Sequence, residues 1–513
     1  MKRLLVILVT LAACSTSSLQ PPPLKQQVRV TTDSTLSPAL ARQDSTAGPN
    51  PASDPFSLAR YTEAGYGVLN ASPGLGYTTH TFDGSTPPTA GPHSTRIARF
   101  VHLTDLQIAD DESPTRVASF DSPIGLDAAA RPQDSDLCRM TNAAVRTINA
   151  LHHQDPIDFV LLGGDNADSA QSNEVDWALS ILTGAKEVKC DSGAVNDPVP
   201  GPDNDGKDAF YAEGLEMPFK WVTGNHDVTV QGDFPITQFL GVELGSVADS
   251  GTRDYTQPGG PIRAGDFVVP DAARKLLDRH ALMTKIAASG DGHGIGAAQI
   301  ASGKATYTFD VPGTPLRLLT IDTATEDGGA EGVIHQADVD ALIKPALDRA
   351  LADGKWVFLA SHHGVSSLST DGGIFGKEQA DAVLPDDWVD FVGQYPNVIF
   401  GVMGHTHRHN VKVVKSLKGG QWWEVMTSSI ADYPHQFHML ELFDQDNGWL
   451  MLRATAVDFS TVDDVVAKDA RERGTIDWQS GWGMDNGLGD PANRNVELWM
   501  KKPVRVGLSG SAD

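Results

Sequence analysis

Basic residues are in short supply in this chain: 40 lysines and arginines against 66 aspartates and glutamates give a formal net charge of -26 over 513 residues. Such a surface repels polyanions, which excludes duplex DNA or RNA gripped through its phosphates. Past the first dozen or so residues no apolar run is long enough to cross a membrane, and no internal repeat is evident. Cysteine is scarce as well, with residues at positions 14, 138 and 190 only. In an exported chain Cys138 and Cys190 are expected to pair as a disulfide; the alternative is a buried free thiol at Cys138, beside Leu137 and Met140 on a helix. The length allows more than one domain, or a single large α/β unit with long insertions.

At the N-terminus Lys2-Arg3 precede the apolar run Leu4 to Leu11, and Leu11-Ala12-Ala13-Cys14 follows. Residues 1–13 therefore read as a lipoprotein signal peptide, too short for a spanning helix, with Cys14 as the acylated new terminus. An ordinary secretory peptide with an incidental cysteine is the alternative. Either way the mature protein is expected outside the cytoplasm, and the first reading anchors it by lipid to the cell envelope, in the periplasm or at the cell surface. Residues 14–57 are Ser/Thr/Pro/Gln-rich and read as a flexible tether. The expected domain then runs over 58–500, with a tail at 501–513.

Five polar clusters stand out: Asp105-Leu106-Gln107, Gly164-Asp165-Asn166, Gly224-Asn225-His226-Asp227, Ser361-His362-His363 and Gly404-His405-Thr406-His407. Each follows a short β-rich run, such as Phe100 to Thr104, Phe159 to Leu162 or Val398 to Met403. Between the first two runs Leu137, Met140, Ala144, Ile148 and Leu151 recur at helical spacing, so a strand-helix-strand crossover is expected. Carboxylates, amides and imidazoles at the carboxyl ends of strands sit where open α/β sheets bind their ligands.

In this order the clusters resemble the calcineurin-like metallophosphoesterases, the superfamily that includes purple acid phosphatases, cyclic-nucleotide phosphodiesterases and phosphoprotein phosphatases. The resemblance implies an α/β fold, a four-layer α/β/β/α sandwich of two mixed sheets flanked by helices, with a metal site at the carboxyl ends of strands. It implies two divalent or trivalent ions, iron, manganese or zinc. One would be held by Asp105, Asp165 and His407 with Gln107 as fourth ligand, the other by Asp165, Asn225, His362 and His405, so that Asp165 bridges. It also makes His226 the acid-base group, with Asp227 fixing its tautomer. Where the family has Asp-x-His this chain has Asp105-Leu106-Gln107, and an amide binds borderline metals more weakly than imidazole. Gln107→His is accordingly expected to tighten the first ion.

The implied activity is hydrolysis of a small phosphate mono- or diester, for which a bound metal pair reverses the acidic local field. A nucleotidase of the same superfamily and a catalytically silent metal-binding surface protein are the alternatives. Arg408 and His409 follow the last cluster and are candidates for a phosphate oxygen. Long insertions, about Ile108 to Gln133, Ser169 to Pro218 and Val228 to Ala305, are expected to wall the site. The run Gly290 to Gly294 makes His293 a candidate substrate contact.

Overall fold

The computed structural model describes residues 28–43, 48–52, 55–118, 121, 129–193, 199–245, 252–253, 262–263, 268–484 and 487–503. The proposed signal peptide, Cys14 and most of the expected tail lie outside them.

Two mixed sheets face one another. The larger has seven strands in the order Thr78–Thr81, Val496–Lys501, Trp449–Asp458, Gln436–Asp444, Thr95–Leu103, Phe159–Leu162 and Phe219–Lys220. The smaller has six, in the order Tyr307–Asp310, Leu316–Thr320, Trp356–Ala360, Val398–Met403, Gln421–Met426 and Asn410–Lys415. Side chains alternate between faces along each strand. Phe100, Phe159 and Leu161 turn inward to meet Leu318, Phe358 and Phe400 of the other sheet. Val101, Leu103, Val160 and Leu162 turn outward, into a second core with the helices. A third core covers the outer face of the six-stranded sheet, where Leu347 and Val392 pack on Val357 and Leu359. The four layers expected from the resemblance are all present.

The helix Leu137–Gln154 carries the crossover between the parallel strands Thr95–Leu103 and Phe159–Leu162. Its apolar stripe is buried. It stops before Asp155-Pro156, because proline disfavours helical geometry in the residue ahead of it. A disulfide joins Cys138 on its first turn to Cys190.

The expected tether is too long. Thr31 donates both its backbone N–H and its hydroxyl to the carbonyl of Ala456, at 3.2 and 2.6 Å. Ser34–Pro38 pairs antiparallel with Leu69–Pro73. Composition misled here, since backbone groups in a short paired strand bind the domain without a large apolar surface. Val496–Lys501 likewise carries the domain one residue past its expected end. No helix among the described residues is long and apolar enough to cross a membrane.

Candidate metal centre

The five clusters converge at the carboxyl ends of the central strands. Asp105, Gln107, Asp165, His405 and His407 all adopt left-handed backbone conformations, with φ of 53, 42, 53, 69 and 52°. Such conformations are unfavourable for residues with a Cβ. Here they turn successive polar side chains off the strand ends toward one point. Gly224 and Gly404 permit the close approach: a Cβ on either would collide with the carboxylate of Asp165 or Asp105.

Asp105, Asp165 and His362 place ligand atoms within 4.8 Å of one another. His362 Nδ1 faces the carbonyl of Gly163 at 2.8 Å and so carries the hydrogen. Its Nε2 lone pair then points at Asp165 Oδ2, 2.9 Å away. The Asn225 amide nitrogen donates to the Gly232 carbonyl at 3.0 Å, which leaves Asn225 Oδ1 buried without a hydrogen-bond partner. His362 Nε2 is in the same position. Buried acceptors without donors are costly, and two of them in segments that abut the Asp165 carboxylate are what a cation would satisfy. His405 packs edge-on to His362, ring centroids 5.2 Å apart. These residues fit an ion of mixed oxygen and nitrogen preference.

Beside the trio of Asp105, Asp165 and His362, His407 directs Nδ1 to Asp432 at 2.5 Å and Nε2 to Asp105 at 3.1 Å. Burial works against protonation of this ring, yet Asp105 and Asp432 carry its pKa up to about 10. His362, likewise buried, is carried up to about 9, chiefly by Asp165. A second proton, on Nε2 in His362, holds the place of the positive charge that these carboxylates demand, and a cation taking that lone pair would displace it.

Gln107 is engaged elsewhere. Its Oε1 accepts from Arg131 Nη2 at 2.6 Å, and its Nε2 lies 3.0 Å from His226 Nε2. Arg131, fully buried, also donates to both oxygens of Asp432.

His226 is nearly buried, and its Nδ1 faces the carbonyl of Asp168 at 2.8 Å, with the Asp168 carboxylate 3.5 Å away. Burial lowers its pKa, but Asp165 and Asp168 outweigh this and raise it to about 9. A bound cation would neutralise the Asp165 charge behind part of that rise. The expected partnership with Asp227 is corrected. Asp227 instead accepts from the N–H groups of Asn166, Ala167 and Gly224 at 2.9 to 3.0 Å and from the Asn166 amide. It braces the two ligand loops against each other. Asp168 is itself held by Arg116 at 3.0 Å.

His293 is corrected too: it is buried and stacked on Phe219 with centroids 3.5 Å apart, so it offers no face to a substrate. His409 is buried against Gln436 and His438. Arg408 is partly exposed directly after His407 and forms no ion pair among the described residues. His363 is satisfied by Thr323 and the Ala330 carbonyl.

Asp168, Arg116, Arg131 and Asp432 escaped the sequence reading. Asp168 lies three residues past Asp165, and that nearness was the one available signal. Arg131 and Asp432 meet across 301 residues, and no local pattern marks either.

A calcineurin-like phosphoesterase family model matches residues 98–409. No curated protein matches the chain. Among solved structures, a dimetal phosphatase from Danio rerio shares 12% identity, covering 71% of this chain and 100% of its own, with a TM-score of 0.39. A purple acid phosphatase from yellow lupin shares 14%, covering 75% and 55%, with a TM-score of 0.29. The anchor protein GAP50 from the inner membrane complex of Plasmodium shares 11%, covering 74% and 95%, with a TM-score of 0.28. Likeness at these levels carries no argument about activity.

Proposed function

Since this chain belongs to the calcineurin-like phosphoesterase family, we propose that it hydrolyses small phosphate mono- or diesters with the help of bound metal ions. The carrying observation is the pair of buried acceptors without hydrogen-bond partners, Asn225 Oδ1 and His362 Nε2, the first between two residues that abut the Asp165 carboxylate and the second 2.9 Å from it. Asp165, Asn225, His362 and His405 would hold one ion, and Asp105, Asp165 and His407 offer ligands to a second. When bound, iron, manganese or zinc supplies Lewis acidity at phosphorus and lowers the pKa of water.

The protein's own contribution is orientation. His226 is aimed from both ends, Nδ1 on the Asp168 carbonyl and Nε2 beside the Gln107 amide, and in the proposed reaction Nε2 is the nitrogen that exchanges a proton. Arg408, partly exposed beside His407, is placed to meet a phosphate oxygen. The N-terminal sequence supports a place at the cell envelope, with lipid on Cys14.

Purified protein with Mn²⁺ should turn over p-nitrophenyl phosphate or its bis-ester, and His362→Ala should lose metal and activity together. Stable metal binding with no turnover of either ester would overturn the hydrolytic reading.

A further inference from the structure

Resting on that reading and deepening the same site, we propose that Gln107 is not a metal ligand. Arg131 instead fixes it as the positioning residue of His226, and the Asp105 side of the centre is left with three protein ligands.

The argument starts from Arg131. A guanidinium has donors only and keeps its charge in proteins. With Arg131 Nη2 at 2.6 Å, the atom of Gln107 facing it has to be the oxygen. Turning the amide over would set NH2 against N–H in a buried place, which costs about 1–3 kcal/mol for each donor left unmatched. Nor can Arg131 easily move away, because its Nε and Nη2 are held by Asp432 at 2.7 and 3.1 Å and its backbone N–H by Asp134 at 2.9 Å. A metal ion at Gln107 Oε1 would therefore share that oxygen with a fixed positive charge.

The other end of the amide follows. Its NH2 faces His226 Nε2 at 3.0 Å, so in the neutral ring, the form favoured once a cation offsets the Asp165 charge, Nε2 carries the lone pair while Nδ1–H donates to the Asp168 carbonyl. One tautomer and one ring plane are thereby selected. The chain of contacts then closes on itself: Asp168 is held by Arg116, Arg116 by Asp134 at 2.7 Å, and Asp134 by the backbone of Arg131. His226 joins this buried ring to the Asp165 carboxylate, whose Oδ1 accepts the His226 backbone N–H at 2.9 Å. Asn225, His362 and His405 on the far side of Asp165 have no part in the ring, so the two halves of the centre are unequal.

The sequence-based expectation for Gln107→His changes accordingly: an imidazole there meets the Arg131 guanidinium before it meets a metal. The test uses the full chain and Co²⁺ as probe, followed by its visible absorption, with turnover measured separately. Gln107→Ala and the closer isostere Gln107→Met should each leave both Co²⁺ affinities within about twofold of the parent, because no ligand is lost. Gln107→His should not tighten either ion. Each Gln107 variant should lower kcat by about tenfold or more with little change in KM, and should add nothing in a His226→Ala background, as expected for residues acting as a unit.

A loss of about tenfold or more in one Co²⁺ affinity on Gln107→Ala or Gln107→Met would make Gln107 a ligand and overturn the proposal. So would rate effects of Gln107→Met and His226→Ala that multiply. The Co²⁺ titrations need no turnover, so an inactive parent protein would count against the hydrolase while still deciding the ligand question.

Discussion

At the scale of single residues, the proposed reaction separates groups that would touch a reacting phosphate from groups that hold them. His226 belongs to the first kind, and His226→Ala should spare metal content while lowering kcat by about 10² to 10⁴. Asp227, despite its adjacency in sequence, belongs to the second. Its carboxylate satisfies three backbone N–H groups on two ligand loops, so Asp227→Ala strands buried donors and should destabilise the fold by about 3 kcal/mol or more, read from the urea midpoint. A rate defect in Asp227→Ala at unchanged stability would restore the role that sequence adjacency suggested. The contrast shows what was legible. Proposed ligands such as Asn225 and His405 announce themselves because a metal site recruits one or two residues from each strand end, and those residue types are visible locally. Partners such as Arg131 and Asp432 are chosen by the folded path of an insertion, and nothing in their neighbours records it.

At the scale of elements, the strand and helix patterns were readable wherever burial is one-sided. Period-two alternation in Thr95–Leu103 and the stripe of Leu137–Gln154 each have one face to satisfy, so sequence and structure agree. Segments held by polar contacts were not readable, as with residues 31–38, where Thr31 is hydrogen-bonded to Ala456 and Thr35 and Leu36 to Asp458. Removing residues 1–41 should therefore cost stability that removing residues 1–27 does not, by about 2 kcal/mol or more on thermal or urea unfolding. The Gly290 to Gly294 run is a further case, because its glycines suggest a surface excursion while His293 is packed on Phe219. Burial depresses the His293 pKa to about 4, against the opposing pull of Asp291. The folded state thus refuses a proton that the unfolded chain accepts below about pH 6.5. Stability from this group is full above that pH and falls as the pH drops toward 4, by about 3 kcal/mol. His293→Phe should flatten the dependence of the urea midpoint on pH between about 6.5 and 4.

At the scale of the whole molecule, the disulfide and the sheet order tie distant parts together. The bond between Cys138 and Cys190 closes a separation of 52 residues, worth about 4 kcal/mol in the chain-entropy model. Cys190→Ser should lower the unfolding midpoint by a comparable free energy without altering metal stoichiometry. The order of the seven-stranded sheet has a consequence in time. Strand Thr95–Leu103, which delivers Asp105, is flanked on one side by Phe159–Leu162 and on the other by Gln436–Asp444, a neighbour more than three hundred residues downstream. As the chain emerges from the ribosome, the first cluster is made early and waits with one edge unpaired until Gln436–Asp444 has been synthesised. Asp432, which orients His407, arrives just before that closing strand. The centre therefore cannot ripen cluster by cluster. It is assembled only when the late strand docks, and a chain cut short before Gln436 holds all five clusters but no finished site.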